Sequence, residues 1–338
     1  MNKIKKYTWI IVCSITLVFT PVFYADDSDG VVIDKDTQRA INRGLEWLAK
    51  NQRADGSWSD SRFPHSTAIS SFALLAFMSQ GHLPNQGKYG PEVTKATRYI
   101  LASAREDGYL LGARGGNMYS HGLAELALSQ LYGMTGDPEV RKTLKKAVEL
   151  TVRAQAPSGG WRYEPVPSGD DISVTIGQVM ALRGAKDSGI QVPDRTIKRA
   201  LEYINTCYDS PTGGYTYQPR NRAPGFARTA AGICVLKLCG DYDKRIDRSI
   251  DFLKRSMRGR PEHLWYGHYY ACHALYQVGG QDWKNYYDRV RVDLLNQQSP
   301  DGSWSAHTDH NSAGPVYQTA IAIIILSVPG HYLPIFQR

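Results

Sequence analysis

Asp170 and Asp171 stand side by side in the stretch Ser168-Gly169-Asp170-Asp171. Adjacent carboxyls are a device for acid chemistry, because burial beside a like charge raises proton affinity and keeps a proton available for donation. His121 and Glu125 are four residues apart and share a face of any helix that contains them. If that face looks into a cavity, the imidazole is a base and the carboxylate its orienting partner. Both pairs also have plainer uses: Asp is a common helix cap, and a His–Glu hydrogen bond can simply hold a helix in place. His268 and Cys272 share a face too, with His273 beside them, but a metal there would need ligands from neighbouring helices. No CxxC pair or other zinc spacing occurs, so neither a metal nor a cofactor is expected.

The elements that position these residues are announced by a repeated turn. "NQRADGSWSD" at 51–60, "AQAPSGGWRY" at 154–163 and "NQQSPDGSWS" at 296–305 each place Gly four residues and Trp six residues after a Gln. Degenerate copies carry Tyr109 in "REDGYL" and Tyr215 in "PTGGYTY", and Trp265 in "HLWYGH" reads as a fifth, eroded copy. The aromatic series 58, 109, 161, 215, 265 and 304 has a period near fifty, the mark of a repeat architecture.

Before each turn the pattern predicts a helix with a charged outer face. Ile41, Leu45 and Leu48 recur at helical spacing, as do Leu144, Val148 and Val152. After each turn comes a segment apolar nearly all round, such as "STAISSFALLAFMSQG" or "VYQTAIAIIILSV", which predicts a helix buried on both sides. Thr67, His121, Thr175 and Thr229 occupy matching places at intervals of 54, and Tyr269 and Thr319 continue the series. Six alternations of outer and inner helix close into an all-α double ring, an (α/α)6 toroid occupying residues 26–338 as one domain. The aromatic turns then wedge helix ends together, with Gly supplying tight backbone geometry.

Lys3, Lys5 and Lys6, the apolar run "WIIVCSITLVFTPVF" and Ala25 before acidic residues read as an export signal over residues 1–25. An uncleaved anchor is the alternative. Losing it removes three lysines and no acid, so the formal charge of +8 falls by three. That residual charge is small and dispersed, which argues against a nucleic-acid partner. Cys207, Cys234, Cys239 and Cys272 remain, and they read as buried thiols. The sequence carries no signal for an oligomeric state.

With its Gln–Gly–Trp turns, the chain resembles the terpenoid-cyclase and protein-prenyltransferase superfamily, whose "QW" turns decorate an (α/α)6 toroid. "MYSHGLAELAL", "GGWRY", "GDDISVTIGQVMAL" and the ending "HYLPIFQR" are similar to secreted single-ring prenyltransferase/squalene-oxidase-repeat proteins of planctomycete-like bacteria. The resemblance covers residues 34–338. It implies that Asp170 is the proton donor of a cyclase-type Asp-x-Asp-Asp motif, although Ser168 replaces the first acid. The Asp-x-Cys zinc motif of the prenyltransferases is missing. Cys239-Gly240-Asp241-Tyr242 keeps only half of a thioester motif.

Parallel inner helices would gather their positive N-termini at one mouth, which favours anionic groups. Arg114, Arg162, Arg220, Arg222, Arg228, His263, His268, His307 and His310 lie in or near the entering loops, with Glu164 and Asp309 interspersed. Asp170, Asp171, His121 and Glu125 are the candidate catalytic residues. His268, Tyr269, Tyr119, Arg228 and Trp161 are candidates to touch a small-molecule ligand in the mouth, isoprenoid or anionic, close to a membrane surface. A carbohydrate lyase or hydrolase using Glu125 with Asp170 is the first alternative, and a non-catalytic ring that binds a peptide or protein the second.

Overall fold

The computed structural model describes residues 30–60, 63, 65–112, 115–219, 223–258, 263–305 and 313–337. The signal expected over residues 1–25, and Arg114, Arg220, Arg222, His307, Asp309 and His310, lie outside the described residues.

Six amphipathic helices form an outer layer: α1 (Lys35–Lys50), α3 (Gly90–Ala102), α5 (Pro138–Arg153), α7 (Asp194–Thr206), α9 (Arg245–Ser256) and α11 (Gly280–Gln297). Helix α1 shows why: Ala40, Ile41, Gly44, Leu45 and Leu48 are buried at helical spacing, and the charges between them face water. Six helices apolar on nearly every side form the inner layer: α2 (Thr67–Met78), α4 (Met118–Thr135), α6 (Ile172–Asp187), α8 (Phe226–Leu238), α10 (Leu264–Val278) and α12 (Pro315–Ser327). Caps fix several starts: Ser66 accepts from the Ile69 amide, Asn117 from Tyr119, Asp137 from Glu139 and Val140, and Asp171 from Val174.

The inner helices pack in the circular order α2, α4, α6, α8, α10, α12 and back to α2, so the ring is closed. Each remaining outer helix lies against the inner helix before it, and α1 lies against α12. Asp60 latches the closure, its carboxylate accepting from the Val316 and Tyr317 amides at the start of α12, both at 3.0 Å. Among the described residues there is no β-strand, only isolated bridges.

The turns are staples. Trp58, Trp161 and Trp304 donate their indole N–H to the carbonyls of Leu48, Thr151 and Leu294, ten residues back at the end of the preceding outer helix. The turn glutamines reach forward. Gln52, Gln155 and Gln298 donate to Glu92, Thr196 and Ala40, each near the start of the next outer helix around the ring. One neutral hydrogen bond of this kind contributes about 1 kcal/mol. Gly159, at φ +97, lets its turn touch the neighbouring helix: a Cβ there would stand 2.2 Å from the Arg199 carbonyl oxygen.

Two sequence expectations need correction. Trp265 is not a turn residue: it lies inside α10, so the fifth repeat departs from the others. In the first repeat Ser70, rather than Thr67, accepts the turn amide of Trp58, the task Thr175, Thr229 and Thr319 perform for Trp161, Tyr215 and Trp304.

After α12 the chain does not leave the ring. Residues 328–337 form a strap containing two short 3-10 helices, Val328–Gly330 and Pro334–Phe336. The strap runs from α12 to α4 and α6, across the end where the inner helices finish. The Ile335 amide donates to Gln130 of α4, and Gln277 of α10 donates to the Phe336 carbonyl.

Candidate functional site

Helix α6 shows which faces look into the ring. Thr175 receives the turn amide, so its side faces outward, and Gln178 reaches α4 by donating to the Met118 carbonyl. Ser173, Gly177 and Gly184 therefore share the stripe that faces the axis. A Cβ placed on Gly177 would meet no atom within 4 Å, whereas one on Gly184 would meet Ser129, Gln130 and Ile335 of the strap. The ring interior is open beside Gly177 and filled beside Gly184, seven residues lower.

The facing stripes supply aromatic groups. Tyr119 of α4 and Tyr266 of α10 have ring centroids 6.0 Å apart, and Tyr266 and Tyr270 are 4.7 Å apart. Tyr269 packs on Tyr270, on Phe72 of α2 and on His273, and Phe72 also packs edge-on against Tyr317 of α12. Burial raises the phenols of Tyr119, Tyr266 and Tyr270 well above the ordinary range, so they are neutral hydroxyls. Burial lowers His273 to about 3, so it too is neutral, and neither of its ring nitrogens has a hydrogen-bond partner. The named luminal groups thus carry no charge.

His121 and Glu125 face the other way. The Leu110 amide donates to His121 Nδ1 at 3.0 Å, so the ring proton sits on Nε2 and points at Thr151 Oγ1 of α5, 2.9 Å away. Thr151 in turn donates to Glu125 Oε2 at 2.5 Å. All of this is buried between the inner and outer layers. His121 thus does for the Tyr109 turn what Thr175 does for the Trp161 turn. Thr151→Val, isosteric but without the hydroxyl, should cost about 1–3 kcal/mol, because it removes the bridging group and leaves His121 Nε2 and Glu125 Oε2 with only their longer 3.3 Å contact. Urea denaturation checks this, and a loss below about 0.5 kcal/mol, typical of an indifferent surface site, would contradict the network's role.

The expected convergence of His121, Glu125, Asp170, Asp171 and His268 on one cavity does not occur. His268 Nδ1 lies 2.9 Å from the Tyr286 hydroxyl of α11, on the outward face of α10. Trp161 is buried in its turn, and Arg228 bends back to donate to the Ala223 carbonyl. Asp170 and Asp171 stand on the rim at the start of α6. Ser158 donates to Asp170 Oδ2 at 2.7 Å, and Tyr203 of α7 lies close by. Asp171 caps α6, and burial raises its carboxyl, opposed by the Val174 amide and by Tyr217. Glu125 cannot serve as the second carboxylate to Asp170, since it is locked beneath Thr151. Of the nominated ligand contacts, Tyr119 and Tyr269 belong to the luminal aromatic column. Phe72, Gly177, Tyr266, Tyr270 and Tyr317 are not among the sequence candidates, and His273 appears there only beside His268 and Cys272. Their only advance signal is the surplus of 21 Tyr over 8 Phe.

No family model matches the chain. It is 34% identical over 73 residues to lanosterol synthase of Mus musculus, covering 22% of this chain and 10% of that enzyme. With lanosterol synthase of Homo sapiens it is 30% identical over 139 residues, covering 39% of this chain and 19% of that enzyme. The matched stretch is thus at most a fifth of those relatives. Among solved structures, an inactive variant of the GH76A α-1,6-mannanase of Salegentibacter with α-1,6-mannotriose has a TM-score of 0.68 at 8% identity, covering 89% of this chain and 100% of that chain. A variant of the Scytonema type II terpene cyclase MstE with geranylgeranyl dihydroxybenzoate has a TM-score of 0.59 at 15% identity, covering 88% and 98%. These likenesses establish the (α/α)6 fold.

Proposed function

We propose that this chain, whose ring is the toroid of the terpenoid-cyclase-like superfamily, holds an isoprenoid-like apolar ligand in the upper half of its lumen. The observation that carries the reading is the open space beside Gly177, faced by an uncharged column of tyrosines. Such a wall stabilises an apolar guest by burial and by contact with ring faces. The lanosterol synthase matches and the prenylated ligand of the Scytonema cyclase point the same way. Phe63, Tyr163 and Val166 expose apolar surface in the loops that lead into the inner helices, where a ligand leaving a membrane would arrive.

If the ring also transforms its guest, the acid falls to the Asp170–Asp171 pair, where burial raises the Asp171 carboxyl. The carbohydrate alternative rests on the mannanase likeness. Glycoside hydrolysis needs two carboxylates flanking the bond; the named luminal stripes carry none, so they would have to come from the rim, where Asp170 and Asp171 stand.

The chain is further proposed to act beyond the cytoplasm after losing roughly its first 25 residues. One experiment tests both statements: native mass spectrometry of protein isolated from its producing cell. The expected result is a mature mass lacking the N-terminal segment, with an isoprenoid lipid released on activation. A co-purifying oligosaccharide would contradict the ligand reading, and a full-length cytosolic species would contradict export.

A further inference from the structure

The strap's place under the lumen suggests what it does there. Phe336 lies flat on His273, with centroids 3.5 Å apart and planes 7° apart, and the column continues upward through Tyr269. Two helices carry the luminal stripe down toward the strap. On α10 the luminal stripe runs from Tyr266 at the mouth to His273, seven residues lower. On α6 it runs from Gly177, which faces open space, to Gly184, seven residues lower, which meets Ile335 of the strap. Seven residues of helix rise about 10 Å.

The strap is anchored around this level on several sides. Gln130 receives the Ile335 amide, Gln277 donates to the Phe336 carbonyl, and the Tyr276 hydroxyl lies 2.6 Å from His331 Nδ1. Beside the stack, a cavity of about 20 Å³ lined by Ser79, His273, Ser327 and Phe336 has room for one water and no more.

We infer that the C-terminal strap is the floor of the ligand compartment and that Phe336, acting through His273 and Tyr269, sets the longest chain the ring accepts. This inference rests on the isoprenoid reading above and adds a length limit to it. The ring wall alone leaves the lower lumen to be occupied. The strap occupies it with the chain's own aromatic side chain, so a guest is confined to the upper part.

The test is a binding series with geraniol, farnesol and geranylgeraniol, read by calorimetry on the full chain and on Phe336→Ala. For the natural protein, affinity should rise with chain length while added carbons find buried surface, then fall once the chain outgrows the compartment. Phe336→Ala should move that fall to a longer member and raise affinity for the first rejected alcohol by about tenfold. Phe336→Leu keeps most of the packing and should give a smaller shift in the same direction, which decides the matter if the alanine variant melts early. A fall at the same member in all three proteins, or affinity that rises through the whole series in the natural protein, would overturn the floor and leave the isoprenoid reading standing. If no alcohol binds any of them, the isoprenoid reading fails and the floor fails with it.

Discussion

Gly177→Phe should cut the affinity for farnesol by about a hundredfold, equivalent to about 2.8 kcal/mol, while leaving the protein as stable as before or slightly more so. The two halves of this expectation come from different physics. A glycine inside a helix costs roughly 0.5–1 kcal/mol relative to alanine, so almost any replacement that fits improves the helix. Space decides whether it fits, and a Cβ at Gly177 meets nothing within 4 Å. The ring of phenylalanine would extend into the volume proposed for the guest. Gly177→Ala is the control: it should gain the helix contribution and lose little binding. Calorimetric titration beside thermal melting separates the outcomes. A phenylalanine variant that still binds farnesol normally would place the ligand elsewhere, and one that unfolds would show that the space is smaller than described.

Gly159→Ala, like the equivalent changes at Gly56 and Gly108, should be among the most damaging single-methyl changes in the fold, at about 2–5 kcal/mol. Its φ of +97 is outside the comfortable range of an L residue, which accounts for about 1–2 kcal/mol. The added carbon would also stand 2.2 Å from the Arg199 carbonyl oxygen. Backbone cannot swing aside as a side chain can, and forced overpacking costs about 1–3 kcal/mol more. Gly136→Ala isolates the first effect. Gly136 ends α4 at φ +67, and a Cβ there meets nothing within 4 Å, so about 1–2 kcal/mol is expected. Urea denaturation of the two variants gives the comparison. Equal losses would mean that turn and neighbouring helix are not in tight contact, and the staple would lose its main support.

The ring was legible because its turns leave chemical signatures. A Gln, Gly and Trp at fixed spacing each have one bond or one backbone shape to supply, and the structure shows Gln155, Gly159 and Trp161 supplying all three. Asp171 likewise appears as the helix cap that its residue type suggests. The fifth repeat departs from the sequence expectation because Trp265 carries the aromatic signal without the glycine turn around it, and the residue joins the helix instead.

The site was much less legible. Tyr119 and His121 are two residues apart and so point about 200° apart on α4, one toward the axis and the other toward α5. An inner helix that is apolar on every side gives no pattern to say which is which. The histidine and glutamate stand out because their types can do chemistry, yet their partners are a turn amide, Thr151 and each other. Aromatic side chains that build a lumen look, in sequence, like ordinary core. The strap could not be placed at all. Its position depends on Gln130 meeting Ile335, a contact 205 residues apart with no local signal at either end.

The account stands most directly on where a guest sits. A crystal structure of the protein with farnesol bound is the decisive measurement. The expected result is density in the upper lumen along the Ser173–Gly177 face of α6, in contact with Tyr119 or Tyr266 and ending above the Phe336–His273 stack. Density confined to the rim around Asp170 and Asp171, or a lumen closed by its own side chains with farnesol elsewhere, would contradict it.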